Sequence, residues 1–561
     1  MIDRHPIPDR DGSNLYQTDP TLVALLPLYL PPDLLAHLQP HLHEMGALAG
    51  GPLDRLALVA DKHPPVLEHR DRRGRDAQRI VKHPAYVELE QVAFGRFGLA
   101  AMAHRPGVLG WPQRMPPAAK YALSYLFVQA EFGLCCPLSM TDALSRTLHR
   151  YGSPALVAGH GDALLSQDLD QLAQGAMFMT EQAGGSDVGA TETRAVPDGD
   201  AYRLHGDKWF CSNPDAGYAL VLARIDGASA GLKGLSLFLL PRRLPDGQAN
   251  DYRILRLKDK LGTRSMASGE IRLEGARAWL VGDPGQGFRQ MADMINHSRL
   301  SNGMRAAGLM RRAWAEALHV ARERQAFGQA LIERPLMRRQ LMKILLPMEQ
   351  ARSMTFQCAD ALQRADGGDT TAQALVRVLT PLLKFRACRD ARRATGDAME
   401  VRGGCGYIEE WSDARLVRDA HLGSIWEGTS NIVALDVMRA IRREASLPAL
   451  RAHLDTLRAQ ARLAPEDEAL LAGCTDRAAA LAAQVAEADD GGLDAAARQA
   501  ASGLYHAATA TMMAWEAQRI GSARRLALAR AVVQQRLLPR DPLALRDADD
   551  APLALLLEDA A

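Results

Sequence analysis

The chain has 561 residues, 47% of them apolar and 24% charged, the balance of a soluble globular protein with an ample core. A formal charge of +1 sets up no whole-chain field for nucleic acid or an anionic membrane, and 5% aromatic residues leave few platforms on which unpaired bases could stack. Seven cysteines, an odd count with no C-x-x-C pair, argue against a disulfide framework or a zinc site. Adjacent Cys135 and Cys136 read as small buried thiols.

In chain order, "MIDRHPIPDRDGSNLY" is charged, contains prolines and lacks the apolar run of a signal peptide. No uninterrupted apolar stretch reaches about 18 residues. The best candidate, "TLVALLPLYLPPDLLAHL", is broken by prolines, so a reducing cytoplasm is the expected compartment. Residues 1–175 read as a helical domain. Both "DRLALVADKHPPVLEHRDR" and "PAAKYALSYLFVQAEFGL" place apolar residues at three- and four-residue steps. Within it, His37, His41 and His43 have ligand-like spacing, but without a matching cluster elsewhere they read as a polar helix face.

Residues 176–285 change period. "AYRLHGDKWFCS", "YALVLARID", "GLSLFLLPRRL" and "GEIRLEGARAWLVG" are short alternating or apolar runs bounded by Gly, Asp, Pro and Asn, which predicts a compact β domain. Long helices return at 286–444, in "RQMADMINHSRLSNGMRAAGLMRRAWAEALHVARERQAF" and "TTAQALVRVLTPLLKFRACRDARRATGDAMEV", and predict a four-helix bundle. Residues 445–561 form an extra helical region interrupted at "EADDGGLD". It carries 12 arginines, no lysine and 16 acidic residues, a net −4 that weighs against a nucleic-acid arm. An arginine cluster between 519 and 536 could still give one helix a basic face, solvated or pairing subunits.

No G-x-G-x-x-G or G-K-[ST] loop follows a strand, so neither a Rossmann site nor a P-loop is supported. "FMTEQAGGSDVGATETRA" is richer. Thr180 and Glu181 close a strand-like "AMFM", Gly184-Gly185 permits a tight turn, and exposed amides beside Ser186 and Asp187 could hold a polar ligand; a plain turn would look similar. "GDKWFCSN" sets Trp209 and Phe210 near Ser212, which by itself could be core packing. In "GSIWEGTSNIVALDVMRAI", Glu427 is either a helix-start acid or a proton acceptor.

These segments follow one another in a fixed order: "MTEQAGGSDV", "KWFCSN", "ERQAFGQALIERPLM" and "EVRGGCGYIEEWSDARLVRDAHLGSIWEGTSNI". The series resembles the acyl-CoA dehydrogenase family, whose signatures are T-E-x-x-x-G-S-D, K-x-W-I-[ST]-N, R-x-x-F-G, G-G-x-G-[YF] and I-x-E-G-T-[SN]. "SNLY", "LCCPLSMT", "LPDGQ", "LRLKDKLGTRS", "RPLMRRQL" and "SIWEG" resemble its AidB-like branch of alkylation-response flavoproteins. The resemblance implies an α+β, mainly helical fold: an N-terminal helical domain, a central β domain, a C-terminal four-helix bundle and an extra C-terminal helical domain.

It also implies FAD, an acyl-CoA substrate, an electron acceptor the sequence does not name, and a homotetramer or at least a dimer. Glu427 matches the base that takes the α-proton while the β-hydride passes to FAD. Met179 and Thr180 match residues near the flavin ring, with Phe210, Cys211 and Ser212 flanking it. Ser186 and Arg299 match substrate-side contacts, and Thr429 and Asn431 residues near the FAD adenosine portion. Arg324, Phe327, Glu400, Gly403 and Gly404 match FAD contacts given by a neighbouring subunit. The chain departs from the family pattern at Phe210, at Pro335 and at Glu400, an acid that needs a cation such as Arg402 beside a pyrophosphate. Three readings follow: an acyl-CoA dehydrogenase, a DNA-associated flavoprotein, and a flavin-retaining scaffold with weak turnover.

Overall fold

The N-terminal region is largely helical, as read from the sequence, and is interrupted at His63-Pro64-Pro65. Helix Pro52–Lys62 stops there, because a proline cannot donate to the helix ladder and restricts the residue before it. The chain then forms a hairpin, β1 (Val66–Arg70) against β2 (Asp76–Val81), where a continued helix was expected. In this computed structural model the structure describes residues 7–488 and 494–541, with Leu543 and Leu557. The centre of the "EADDGGLD" interruption therefore lies outside the described residues.

The chain forms two compact units: Met1–Asp54, Pro116–Ala130 and Arg299–Ala561 make one, Arg55–Met115 and Glu131–Ser298 the other. The second unit is built on seven strands: β3 (Gly175–Phe178), β4 (Arg194–Asp198), β5 (Ala201–Ser212), β6 (Tyr218–Ile225), β7 (Leu235–Pro241), β8 (Tyr252–Leu257) and β9 (Ser268–Val281). β4 pairs with β5, β5 with β9, β9 with β7, β7 with β6, and β6 again with β4, so the pairing closes on itself. Each of those five strands thus has a paired neighbour on both sides; β3 adds to β6 and β8 to β9. Inside lie Phe178, Leu204, Cys211, Val221, Phe238 and Ile271, the inward half of each alternating strand. The hairpin is tied to β8, since Ile254 N–H donates to Gln78 Oε1 at 2.9 Å.

The first unit is helical. The helix Gly287–Glu323, of 37 residues, belongs to it from Arg299 onward; Pro335–Asp366 and Thr370–Arg402 run 32 and 33 residues and are followed by Ser412–Gly423 and Ser430–Arg443. Gly303 lets the first of these approach the third: a Cβ there would stand 2.4 Å from Leu383 Cγ. That close approach brings Asn302 and Arg305 toward Lys384 and Cys388, the residues around which the candidate site is built.

The tail helices Ser446–Ala461, Pro465–Glu487, Ala497–Ile520 and Ala523–Arg536 belong to the same unit. Buried Arg525 fastens them. It donates to Glu516 at 2.5 Å and to Glu349, on the helix Pro335–Asp366, at 2.8 Å. Tyr29 and Ser353 also donate to Glu516, each at 2.7 Å. Arg530 pairs with Asp467 at 2.7 Å. The arginine cluster at 519–536 is therefore partly internal, because a buried guanidinium needs carboxylate partners.

Candidate active site

Glu427 lies in the short link between the helices Ser412–Gly423 and Ser430–Arg443, with Thr429 as the N-cap residue. Its φ is +53° and that of Gly428 is +98°. Left-handed backbone costs a non-glycine residue roughly 1–2 kcal/mol, so the surroundings must hold it. Two cations do so. Arg299 Nε donates to the Glu427 carbonyl at 3.0 Å, and Lys384 Nζ donates to the Gly428 carbonyl. The Glu427 side chain is 6% exposed, with Arg305 Nη2 4.0 Å from Oε1. Asn302 Nδ2 reaches Oε2 at 3.5 Å and also donates to the Gly423 carbonyl at 3.2 Å. The Arg305 guanidinium lies over the Trp426 ring, 4.7 Å from its centroid.

The clamps are themselves anchored. Arg299 Nη1 donates to Asp436 at 2.6 Å, and Arg377 adds bonds of 2.8 and 3.1 Å to the same carboxylate. Burial alone would raise Asp436, but the charges of Arg299 and Arg377 hold it below the usual carboxylate range. Burial pushes the Lys384 ammonium down to about 8; Cys388 and Glu427 pull the other way, and Arg299 adds to the depression. Burial likewise pushes the Cys388 thiol up to about 12. Arg299, carried over as a substrate contact, is therefore buried and committed to Glu427 and Asp436.

Around the end of the helix Gly287–Glu323, exposed Arg324 donates from Nη1 to the Arg402 carbonyl at 3.2 Å. Gly403 follows with φ +74°, and a Cβ at Gly404 would meet nothing within 4 Å. An exposed guanidinium beside bare glycine backbone suits a diphosphate, so these residues fit that part of an FAD. Phe327 is 93% exposed, with its carbonyl held by Arg334 at 3.1 Å. Glu400, Thr429 and Asn431 are also exposed, and the Thr429 hydroxyl makes no capping bond. Arg402 cannot offset Glu400 in the way the sequence suggested. Its guanidinium is buried against Glu316 at 2.6 Å and Asp413 at 2.7 Å, and lies 4.5 Å from the Trp411 ring centroid. Pro335 opens the helix Pro335–Asp366, where a missing N–H costs nothing.

In the second unit, Trp209 N–H donates to the Thr180 carbonyl at 2.8 Å, joining the Met179-Thr180 segment to β5. Alternation along β5 turns Phe210 outward, 59% exposed, and Cys211 into the sheet core. The Cys211 thiol therefore faces away from anything that Phe210 meets, and only its backbone is left for a ligand. Ser212 is half-buried at the strand end and Ser186 is exposed. Glu181 is a buried hub that accepts from Lys208 at 2.6 Å and from the Thr193 hydroxyl at 2.5 Å. Burial opposes its charge, but Lys208 and these bonds hold it below the usual range.

Sequence reading missed Asn302, Arg305, Lys384 and Cys388. The available signal was a lone lysine in the apolar run "LTPLLKFRAC", since a cation there must find a carbonyl or a carboxylate. Among the described residues no cluster of His, Cys, Asp or Glu could hold a metal. No helix among them is long and apolar enough to cross a membrane.

Known families match in the same order. The models for "Adaptive response protein AidB N-terminal domain", "Acyl-CoA dehydrogenase, middle domain" and "Acyl-CoA dehydrogenase, C-terminal domain" match residues 7–171, 176–276 and 285–442. The chain is 37% identical over 467 residues to the putative acyl-CoA dehydrogenase AidB of Escherichia coli, covering 79% of this chain and 80% of that one. It is 34% identical over 437 residues to acyl-CoA dehydrogenase family member 11 of Caenorhabditis elegans, covering 76% and 70%. A crystal structure of the nematode ACDH-11 in complex with C11-CoA superposes with a TM-score of 0.88 at 29% identity, covering 96% of this chain and 93% of that one. Together with the ordered motifs and the fold, these matches place the chain in the acyl-CoA dehydrogenase family, on its AidB-like branch.

Proposed function

We propose that Glu427 is the base of an α,β-dehydrogenation of an acyl-CoA thioester. The enzyme is an FAD-dependent acyl-CoA dehydrogenase. FAD, when bound, supplies the acceptor for the β-hydride. The α-proton passes to a Glu427 carboxylate oxygen, the β-hydrogen leaves with its electron pair, and a double bond forms between the two carbons. The observation that carries this reading is the double clamp. A strained link, whose carboxylate side chain is largely shielded from water, has both successive carbonyls held by buried cations. Such fixation positions a base for proton transfer.

Arg299 and Lys384 are positioning residues in this scheme. Arg324 with Gly403 and Gly404 binds pyrophosphate, and Thr429 and Asn431 lie toward the adenosine portion. Met179, Thr180, Phe210, the Cys211 backbone and Ser212 serve the flavin ring, and Ser186 the thioester side. The nematode relative's complex with C11-CoA supports an acyl-CoA ligand, and turnover calls for an external electron acceptor. Exposed Phe327, Leu336 and Tyr407 support a homo-oligomer, a tetramer in which Arg324 and Phe327 serve a neighbouring copy's cofactor. All seven cysteines are thiols, in keeping with the cytoplasm.

The test is anaerobic mixing of the holoprotein with a panel of acyl-CoA thioesters, followed by flavin absorbance. One member of the panel should bleach the flavin, and Glu427→Gln should keep FAD but lose the bleaching. Undiminished bleaching in that variant would remove Glu427 from the role. The DNA-associated reading is weakened, because three of the five arginines at 519–536 are engaged: Arg524 and Arg525 are buried and Arg530 is paired. Substantial turnover would exclude the scaffold reading.

A further inference from the structure

Helix Thr370–Arg402 carries Arg389, Arg392 and Arg393, and the tail helix Ala497–Ile520 brings Arg498 beside them. Burial and then the charges of Arg498, Arg386, Arg392 and Arg393 hold the Arg389 guanidinium below its ordinary range. The neighbouring carboxylate, Asp390, is already gripped by Arg386 at 2.5 and 3.0 Å. Arg392, Arg393 and Arg498 are exposed.

Two of these guanidiniums bracket the Glu427 link. Arg392 Nη1 donates to Ser424 Oγ at 3.3 Å, just before Glu427 in sequence, and Arg498 Nη1 donates to Asn431 Oδ1 at 3.5 Å, just after it. Each contact uses one of the five donors of a guanidinium and satisfies it with a neutral oxygen, which leaves the charge unmatched among the described residues. A surface that gathers like charges around a functional link, held there by helix packing, is stabilised when an anion arrives. Guanidinium groups pair with phosphate oxygens two at a time, so adjacent arginines suit a diphosphate better than a carboxylate.

We propose that Arg392 and Arg498, backed by Arg389 and Arg393, form a diphosphate-binding rim on the Glu427 link. The rim gives the tail a role in ligand binding, because the helix Ala497–Ile520 delivers one of its two leading cations. FAD and CoA both carry a diphosphate, and the shared chemistry is what the rim recognises; with FAD it acts alongside Arg324, Gly403 and Gly404 on the same diphosphate. The proposal rests on the reading of Glu427, Thr429 and Asn431 as facing cofactor and substrate.

The experiment uses the full chain with Arg498→Glu, Arg392→Glu and Arg498→Lys. FAD affinity of the stripped protein is read by flavin fluorescence, and CoA affinity of the holoprotein by calorimetry, each at low and high salt. Thermal melting confirms that these exposed positions leave the fold intact. The charge reversals should weaken one ligand about tenfold and flatten its salt dependence, while Arg498→Lys keeps much of the affinity. Weakened FAD binding with unchanged CoA identifies the dinucleotide as the occupant, and the converse identifies CoA; either supports the rim. Equal affinities for both ligands in wild type and variants overturn it, as does a loss confined to duplex DNA. A wild-type chain that binds neither FAD nor acyl-CoA would instead remove the functional reading beneath it.

Discussion

Arg299 and Glu427 are joined through the main chain: the Arg299 Nε–H donates to the Glu427 carbonyl at 3.0 Å, while its other arm grips Asp436 at 2.6 Å. The guanidinium thus fixes where the base sits without touching its carboxylate oxygens. Lysine cannot make both bonds from one fixed plane. Arg299→Lys is expected to lower kcat about a hundredfold through misplacement of Glu427, with FAD affinity unchanged. Stopped-flow flavin reduction alongside FAD titration checks this. Loss of FAD in step with kcat would point to a general structural role.

Lys384 offers a test by pH. Its folded value of about 8 lies below the ordinary lysine value of 10.5, so between these limits the unfolded chain holds the extra proton and stability rises with pH. Below about 8 both states are charged and the contribution is flat. Urea denaturation of wild type and Lys384→Met across this window should differ in slope. The integrated difference is on the order of 3 kcal/mol, and parallel curves would refute it.

The Lys208–Glu181 pair, 2.6 Å apart and buried in the second unit, should be costly to break from one side only. Glu181→Gln leaves a buried ammonium with carbonyl partners alone, an expected loss of about 3–5 kcal/mol. Glu181 is held below its usual range, so its contribution is present above its unfolded value and disappears as pH falls through the folded one. Chemical denaturation at neutral and acidic pH should therefore show wild type and Glu181→Gln converging in acid.

Removing Arg525 should loosen the tail. Arg525→Met leaves Glu349 and Glu516 buried with fewer cations, again an expected loss of about 3–5 kcal/mol. Hydrogen exchange should locate the loss in the helices Ala497–Ile520 and Ala523–Arg536. Unchanged protection there would mean that packing alone holds the tail.

Much of this molecule was legible in its sequence because short-range patterns encode it. The alternating or apolar runs of 176–285 became the strands β3–β9, the two long segments with few breakers became helices of 37 and 33 residues, and five ordered motifs marked the family. The helical reading failed at 66–81 because tertiary pairing decides whether a short mixed run becomes a hairpin. That run follows two prolines, pairs β1 with β2 and is tied to β8 through Gln78.

The sequence by itself determined the family, the order of helical and β elements, and Glu427 as the carboxylate to examine, since each depends on local periodicity or on residues adjacent in the chain. Only the tertiary structure decided which distant cations clamp the Glu427 link, that Arg402 is engaged in the interior, and that an arginine of the tail reaches Asn431. Where a charged side chain finds its partner is a long-range question. A buried cation must meet an oxygen, but helix packing chooses among oxygens that lie scores of residues away.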